Sequence, residues 1–446
     1  MSGGGPATGT DPRPGRTAAF DRAVLVGVLG TGLGLVLGRP DLVLLGAPLL
    51  GGGWLALASR GARPRTPRVD VGWSRLVEQE VATGVRVRVE ADGACLVTVR
   101  VPSGAGAPQA VTATLGPGSA GDDGVRRALV TSVRVPGRGR VVLARPDVVA
   151  LGADGLLRVG PVEGADARTL VLPAYDVVPP LPLPARPAGI VGGHRTRRPG
   201  EGSDLLDVRE FRPGDRLHRI DWRVSARRDR LHVRRTTVDA DADVILVLDS
   251  RIDVGHAAGA WAQPAERDLG GRGRPGSSLD LAVRAATSLS VAHLRHGDRV
   301  ALVDLADRRA WVPAGSGRRQ LLRLRVRLAG ARGAAESATV VRRPDRVPSG
   351  SVVVVLSSFL DAPAADVAAD AVRRGAFVLA VDCLPDPVVA EPAAPRLADA
   401  LDEVLAEQAA RLDAMRRQGV VVLRWDPALV AVQVARWSRR HRERAR

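Results

Sequence analysis

The sequence contains no lysine: all 65 basic residues are arginine, against 48 acidic residues, and the net charge is +17. Without lysine, a P-loop of the usual form is impossible, because a lysine there contacts the nucleotide phosphates. Cysteine is also rare, and Cys95 and Cys383 lie far apart without forming a C-x-x-C pair. This spacing excludes a disulfide framework and a cysteine-based zinc knuckle.

Aromatic residues are few, with one tyrosine, four phenylalanines and seven tryptophans. Stacking on bases needs such rings, and the use of arginine alone beside abundant alanine, glycine and valine indicates a compositional bias. The positive charge is therefore weaker evidence for a nucleic-acid partner than usual, and we do not expect such a partner. The 446 residues are enough for two or three folded units at about 150 residues each.

Residues 1–17 have no hydrophobic periodicity and predict a disordered tail. Two apolar runs follow, at residues 23–38 and 42–58, with a short charged turn between them. These runs predict a transmembrane helical hairpin over residues 18–60. The alternative is a cleaved signal peptide, which usually has one shorter apolar region without internal charges.

Arginines flank the predicted hairpin on both outer sides. The positive-inside rule then puts both termini and the main domains in the cytoplasm, as expected for a two-pass protein of the inner (cytoplasmic) membrane. The lipid bilayer is therefore an expected partner. The flanking residues are Arg13, Arg16, Arg22, Arg60, Arg63, Arg65 and Arg68.

Residues 69–180 contain short runs in which apolar and polar residues alternate, as in Val85–Val89, separated by proline and glycine clusters. This pattern predicts a small antiparallel β-sandwich. It has no recognisable active-site residues, so we interpret it as a spacer or interaction module. A proline-rich stretch that begins at Val178 predicts a stiff linker, assigned to residues 181–193.

Residues 194–242 form an arginine- and aspartate-rich segment that contains a long motif. Its acids and arginines surround a tryptophan, which suits a network of bidentate arginine–carboxylate contacts over the indole ring. The motif residues are Arg209, Glu210, Phe211, Pro213, Gly214, Asp215, Arg219, Ile220, Asp221, Trp222, Ser225, Ala226 and Arg227.

This motif resembles the pattern R-E-F/Y-x-P-G-D-x-x-x-R-I-D-W-x-x-S-A-R of the domain of unknown function 58 family. Phe211 stands where many relatives have tyrosine. The resemblance covers residues 190–384 and implies a von Willebrand factor type A-like fold, with a doubly wound parallel sheet. It also implies a partner, a MoxR-type AAA+ ATPase, for which the protein would serve as an adaptor in the maturation or assembly of other proteins.

Three interpretations of the motif are open. It is a structural network that docks the segment on the following domain, a surface for a partner protein, or a site for anions or nucleic acid. Phosphate-binding stripes usually leave their arginines unpaired, whereas Glu210, Asp215 and Asp221 lie among these arginines. The structural interpretation is therefore favoured.

From residue 243 to residue 446, predicted strands and helices alternate, which indicates a doubly wound α/β domain with a parallel sheet. In the fold that the resemblance implies, the first strand commonly ends in D-x-S-x-S, whose side chains help to hold a divalent metal. Asp249 is present here, but Arg251 and Asp253 replace the two hydroxyls. A guanidinium repels a dication, so we expect a degenerate metal position in which Asp249 pairs with Arg251 or with an arginine of the motif.

Common catalytic motifs are missing: the sequence has no H-E-x-x-H and no G-x-S-x-G. His293 and His296 lie three residues apart on a predicted helix, and we expect both at the surface near the C-terminal end of that helix. These observations lead us to expect a protein that is not an enzyme and uses no cofactor.

The leading hypothesis is a non-enzymatic membrane-anchored protein whose cytoplasmic α/β domain binds partner proteins. An alternative is an anion-binding membrane protein that uses its arginine-rich surface, including the basic tail at residues 436–446, for nucleic acid or acidic lipid. A third hypothesis is a metal-dependent ligand binder.

Overall fold

The structure is a computed structural model that describes residues 2–3, 14–58, 64–93, 96–102, 110–116, 124–152, 154–181, 194–212, 215, 220–240, 243–261, 274–307, 311–333, 351–390, 395–426 and 432. The chain divides into two compact units, Met1–Val171 and Leu172–Arg446. The described residues of the first unit form two helices and twelve strands. They are β1 (Ser2–Gly3), β2 (Gly15–Arg16), α1 (Ala18–Val36), α2 (Pro40–Ala58), β3 (Arg68–Ser74), β4 (Leu76–Glu78), β5 (Ala82–Asp92), β6 (Leu96–Pro102), β7 (Ala110–Leu115), β8 (Gly124–Arg134), β9 (Gly139–Val142), β10 (Asp147–Leu151), β11 (Leu157–Glu163) and β12 (Arg168–Leu172).

Helices α1 and α2 are long and apolar enough to cross a membrane, which confirms the prediction of two apolar helices within residues 18–60. They approach closely at Gly46, where an added Cβ would lie 2.7 Å from the backbone nitrogen of Thr31 and 2.8 Å from the carbonyl oxygen of Gly27. Small residues permit this approach, as they do between membrane helices. Gly38 forms the turn with a φ of 61°, which favours glycine.

The described strands of the first unit form three sheets, in the orders β1-β3-β5-β8, β2-β11-β10-β6-β7 and β4-β12-β9. The two larger sheets are antiparallel. Alternate side chains point to opposite faces of a strand, so Val85, Val87 and Val89 all enter one hydrophobic cluster. Val97 and Val148, from the five-stranded sheet, belong to the same cluster. Each fully buried valine contributes about 1.5–3 kcal/mol. The alternation in the sequence therefore predicts which residues form this core.

The second unit begins with a two-stranded hairpin and continues into a six-stranded sheet with helices. Its elements are β13 (His194–Glu210), α3 (Trp222–Arg228), β14 (His232–Ala240), β15 (Asp243–Leu248), α4 (Ser278–His296), β16 (Arg299–Asp304), β17 (Val312–Gly315), α5 (Gly317–Ala329), β18 (Val352–Ser357), α6 (Pro363–Arg373), β19 (Phe377–Asp382), α7 (Pro395–Arg417) and β20 (Val421–Arg424), with a 3-10 turn at Ala258–Ala260.

The six-stranded sheet has the order β17-β16-β15-β18-β19-β20, and all its pairs are parallel except β16 with β17. Every residue of β18 is buried, as expected for a central strand covered on both faces. Helices α4 and α5 contribute to one hydrophobic cluster of the sheet, and α6 and α7 contribute to the other. The predicted α/β alternation is therefore present, with the addition of the edge strand β17. The sequence also predicts a helix at residues 427–440, which lies outside the described residues except for Val432.

Residues 173–181, here called the strap, pack against α4 and α5 of the second unit. Val178 and Leu181 are buried in the hydrophobic cluster that contains α4. The backbone nitrogen of Asp176 donates to Ser288 Oγ at 2.9 Å. The sequence predicts a stiff linker from Val178 onward, but these side chains belong to a core. Residues 182–193 of the predicted linker lie outside the described residues.

Candidate functional site

Strands β13 and β14 carry the arginine-rich motif and pair antiparallel from His194–Ala240 down to Glu210–His232. Helix α3 lies in the connection between the two strands. Asp221 begins this helix, because its Oδ1 accepts hydrogen bonds from the backbone nitrogens of Arg223 and Val224, each at 3.1 Å. Aspartate is a preferred N-cap residue, since it satisfies helix donors that have no partner within the helix.

Asp215 is bound on two sides within the hairpin. The guanidinium of Arg209 donates to both carboxylate oxygens, at 2.9 and 2.7 Å, and the backbone nitrogen of Arg212 donates at 2.7 Å. The hydrogen bonds from Arg209 are the main reason that the pKa of Asp215 is lowered. Asp215 therefore joins the guanidinium of Arg209, on β13, to the backbone of Arg212.

Asp221 has a second partner that the sequence analysis did not identify. Arg234 Nε, on β14, donates to Asp221 Oδ2 at 2.7 Å. This bond is the largest cause of the lowered pKa of Asp221, and the helix-capping bond from the backbone of Val224 adds to it. Arg234 follows the last residue of the motif in sequence. The antiparallel pairing of β13 with β14, rather than the local sequence, brings it to Asp221.

Ser225 joins α3 to β14. Its Oγ donates to the carbonyl of Asp221 at 2.7 Å and accepts from the backbone nitrogen of His232 at 2.9 Å. Ile220 is buried and forms an isolated bridge with Val233. Four motif acids and hydroxyls are thus used within the hairpin itself, with Glu210 bound to Arg230 at 3.0 Å. Pro213, Gly214 and Arg219 lie outside the described residues.

Trp222 is not enclosed by the network that surrounds it in sequence. Its side chain is 67 % exposed, and no arginine of the described chain lies over its ring. Arg223, Ala226 and Arg227 are exposed beside it on α3. The arginines of this helix form no ion pair with any residue that the structure describes. We call Trp222, Arg223, Ala226 and Arg227 the α3 face.

A second candidate site lies where the parallel strands end. Arg251 donates from Nε and Nη2 to the two carboxylate oxygens of Asp249, both at 2.9 Å. The same guanidinium donates to Asp361 at 2.7 and 2.9 Å. Its side chain is only 8 % exposed. Arg251 is therefore held between two carboxylates with bidentate geometry on both sides.

The donor set at this edge does not fit a divalent cation. Asp249 and Asp361 already bind the Arg251 guanidinium, and Asp249 Oδ2 also accepts from Ser357 Oγ at 2.7 Å. Asp253 does not join them: its Oδ1 accepts from the backbone nitrogen of Leu279 at 3.2 Å. Within the described residues no group of three or more His, Cys, Asp or Glu side chains is arranged to hold a metal ion.

Two more buried carboxylates, Asp304 and Asp382, are the last residues of β16 and β19. Asp304 accepts from Ser250 Oγ at 2.5 Å, and burial raises its pKa despite that bond. Burial also raises the pKa of Asp382 to about 6. Asp382 Oδ1 accepts from the backbone nitrogen of Leu384 at 3.0 Å and from Gln408 at 3.2 Å. Both carboxylates accept hydrogen bonds from residues of the same unit. Neither of them forms a hydrogen bond with Arg251 in the described part of the chain.

The expectation that His293 is a surface residue is wrong. Its ring is fully buried, with Nδ1 at 2.7 Å from Asp298 Oδ2, and its Nε2 accepts from the backbone nitrogen of Leu181 at 3.2 Å. This geometry places the ring proton on Nδ1. Arg284 supports the same strap through two bonds to Asp176, at 2.8 and 2.7 Å. His293 is thus a structural anchor for the strap.

These features define a mixed α/β protein with two N-terminal helices that are apolar enough to cross a membrane. Residues 207–391 match the model of the family described as protein of unknown function DUF58. The match includes the whole motif and supports a place for this chain in that family. No curated protein and no solved structure matches the chain.

Proposed function

We propose that this chain is a non-enzymatic, membrane-anchored protein whose second unit, with a von Willebrand factor type A-like fold, binds partner proteins. The partner that the family resemblance implies is a MoxR-type AAA+ ATPase. The chain would act as its adaptor in the maturation or assembly of other proteins. The exposed α3 face is the observation that carries this proposal.

The α3 face supports protein binding because the motif separates two kinds of residue. Asp215, Asp221 and Ser225 are occupied within the hairpin, and they give α3 a fixed position. The side chains of Trp222, Arg223 and Arg227 take no part in that network and are exposed. Tryptophan and arginine are the residue types most enriched at the energetic centres of protein interfaces.

The edge of the sheet at which Arg251 pairs with Asp249 and Asp361 supports a role other than catalysis or metal-dependent binding. Arg251 neutralises the carboxylates that a dication would need, and its guanidinium has a second acid on its other side. Helices α1 and α2 would hold the protein in the inner membrane with both termini in the cytoplasm. This orientation follows from the arginines on the outer flanks of the hairpin.

The test is affinity purification of the full-length protein from gently solubilised host membranes, with co-purifying proteins identified by mass spectrometry. The proposal expects an AAA+ ATPase that withstands nuclease and moderate salt. Replacement of Trp222 by Ala should lower its recovery at least tenfold, as expected for an interface centre. Val404→Ala, at an exposed apolar position on α7, is the matched control.

Two results would contradict the proposal. One is recovery of the ATPase that is equal for the wild type and Trp222→Ala. The other is recovery of nucleic acid or lipid-dependent material without an ATPase, with binding that weakens steeply between low and physiological salt. Such salt dependence is typical of phosphate binding, and it would favour the anion-binding alternative.

A further inference from the structure

Helix α5 has a buried face and an unusual exposed face. Gln320, Leu324 and Leu328 are spaced four residues apart and point into the unit. On the opposite side Leu322 is 47 % exposed and Val326 is 37 % exposed. Residues four apart are neighbours on a helix surface, so these two form a short apolar stripe that no described residue covers.

Arginines border this apolar stripe on both sides. Residues 308–335 contain eight arginines and no acidic residue. The arginines on the exposed side of α5 form no ion pair with any residue in the described part of the chain. We call this surface the α5 face. It consists of Arg318, Arg319, Leu322, Arg323, Val326 and Arg327, all exposed.

A tryptophan precedes the helix by a few residues. Trp311 is 55 % exposed, and it leads directly into the edge strand β17. Gln320 Nε2 donates to the carbonyl of Pro313 at 2.8 Å, which ties that strand to the first turn of α5. One continuous segment, residues 311–327, thus supplies Trp311, the aliphatic stripe and the four arginines of the α5 face, which form no ion pair with a described residue.

We propose that the α5 face binds the anionic headgroups of the membrane in which this chain is anchored. The guanidinium groups match phosphate in charge and geometry, while Leu322 and Val326 would enter the boundary between headgroups and acyl chains. Basic amphipathic helices with this composition lie in the plane of a membrane surface. This inference rests on the membrane anchoring in the proposed function, and it is independent of the ATPase partner.

A lipid surface fits this face better than a nucleic acid or an acidic protein. Aliphatic side chains at the centre of the face have no counterpart on a phosphate backbone. An acidic protein would have to be recruited from solution, whereas α1 and α2 keep a bilayer tethered to the same chain at high effective concentration. Helix α7, in the same unit, provides the contrast: acids at positions 402, 403 and 407 surround its exposed Val404.

The experiment uses the full-length chain in nanodiscs, with an environment-sensitive fluorophore on Leu322→Cys and, as the control, on Val404→Cys. Cys95 is replaced by serine. Cys383 is retained because it is buried and burial raises the pKa of its thiol, which suppresses labelling. The nanodiscs contain phosphatidylcholine alone or an equimolar mixture with phosphatidylglycerol.

We expect a blue shift of the label at position 322 in the anionic nanodiscs only, reversed by high salt, and no shift at position 404. Each change of Arg318, Arg319, Arg323 or Arg327 to Gln should lower the docking equilibrium about fivefold. Equal emission in the two lipid mixtures would overturn the inference. So would a response in neutral nanodiscs to added heparin, a soluble polyanion, without any response to phosphatidylglycerol.

Failure of the anchoring itself would be recognised separately, because the chain would not incorporate into nanodiscs of either composition. Failure of the α5 inference leaves incorporation intact and abolishes only the lipid-dependent shift. Trp222→Ala, which lies on a different helix, should leave the shift unchanged. Loss of the shift in that variant would show that the signal does not come from α5.

Discussion

The sheet edge and the motif hairpin use the same arginine–carboxylate chemistry at opposite levels of burial. At the edge, the side chain of Arg251 is 8 % exposed and lies between Asp249 and Asp361. In the hairpin, the side chain of Arg230 is 73 % exposed and that of its partner Glu210 is 58 % exposed. A buried charge that loses its partner is strongly destabilising, whereas an exposed ion pair contributes little.

The difference assigns different roles to the two regions. At the sheet edge, Arg251 pairs with both Asp249 and Asp361 and occupies the space between them, so no position for a ligand remains there. In the hairpin, Arg209, Arg230 and Arg234 pair with acids. Arg223 and Arg227, which form no ion pair with a described residue, lie on α3 with the exposed Trp222. We therefore expect variants at the edge to change stability first, and variants on the outer side of the hairpin to change binding first.

The largest effect is expected for Arg251→Ala. This change leaves the carboxylate of Asp249, with a side chain only 2 % exposed, without its countercharge. We expect a loss of about 3–5 kcal/mol in the free energy of unfolding, measured by denaturation of the purified full-length protein. Arg373→Ala, at an exposed ion pair on α6, is the control and should change stability by less than about 0.5 kcal/mol.

A second variant makes the Arg251 result interpretable. In Arg251→Met with Asp249→Asn the buried charge is removed together with its partner, and the amide oxygen can still accept from Ser357. Much of the lost stability should return. If Arg251→Ala and Arg373→Ala proved equally mild, the edge would not be a buried ion-pair network in solution, and the contrast with the hairpin would disappear.

Asp382, which ends a neighbouring strand, should give a pH-dependent effect. Its pKa is raised to about 6 by burial, partly offset by the backbone of Leu384 and by Arg424. Between the unfolded pKa near 4 and this value, the folded chain holds a proton that the unfolded chain has lost. The contribution of Asp382 to stability is therefore greatest at low pH and falls as the pH rises toward 6.

Asp382→Asn removes this titration and keeps an oxygen for the bonds from Leu384 and Gln408. Relative to the wild type, we expect a gain of about 2–3 kcal/mol at neutral pH and convergence of the two proteins near pH 4. Denaturation curves at several pH values measure the difference. An offset that is constant across the pH range would show that Asp382 does not titrate with a raised pKa.

The elements of the second unit could be predicted from the sequence because helical and strand periodicities are local. The pairing of Arg251 with Asp249 was one of two expected alternatives, since the residues lie two apart. Asp361 and Arg234 were not identified as partners, because their positions depend on how distant segments meet. The strap differs from its prediction for the same reason: prolines near Val178 indicate a linker, but packing against α4 and α5 makes that segment part of a core.

The burial of His293, on α4, is a second case in which contacts between distant segments were not predictable from the local sequence. A histidine in the last turn of a helix is usually placed at the surface, where it interacts with the helix dipole. Here two tertiary contacts decide its position: Asp298 accepts from one ring nitrogen and the backbone of Leu181 donates to the other. Neither contact has a signal in the local sequence.

Asp221→Asn tests the inner part of the hairpin and should have an intermediate effect. The amide oxygen can still cap the helix, but the side chain no longer carries the negative charge that pairs with Arg234. We expect the melting temperature to fall by about 2–4 °C, and the loss to shrink at low pH. The pKa of Asp221 is lowered in the folded state, so its contribution is present above the unfolded pKa and is lost as the pH falls. An undiminished loss in acid would contradict this assignment.

Arg230→Ala should have the smallest effect on folding, because both side chains of its ion pair are exposed and the pair is worth about 0–0.5 kcal/mol. The useful measurement combines melting with recovery of the co-purifying ATPase, in parallel with Trp222→Ala. Unchanged melting with lower recovery would extend the partner surface from α3 to the end of the hairpin. Unchanged melting with full recovery of the ATPase would confine that surface to α3. A large drop in melting temperature would remove the distinction between the hairpin and the sheet edge, because an exposed arginine would then stabilise the fold as much as a buried one.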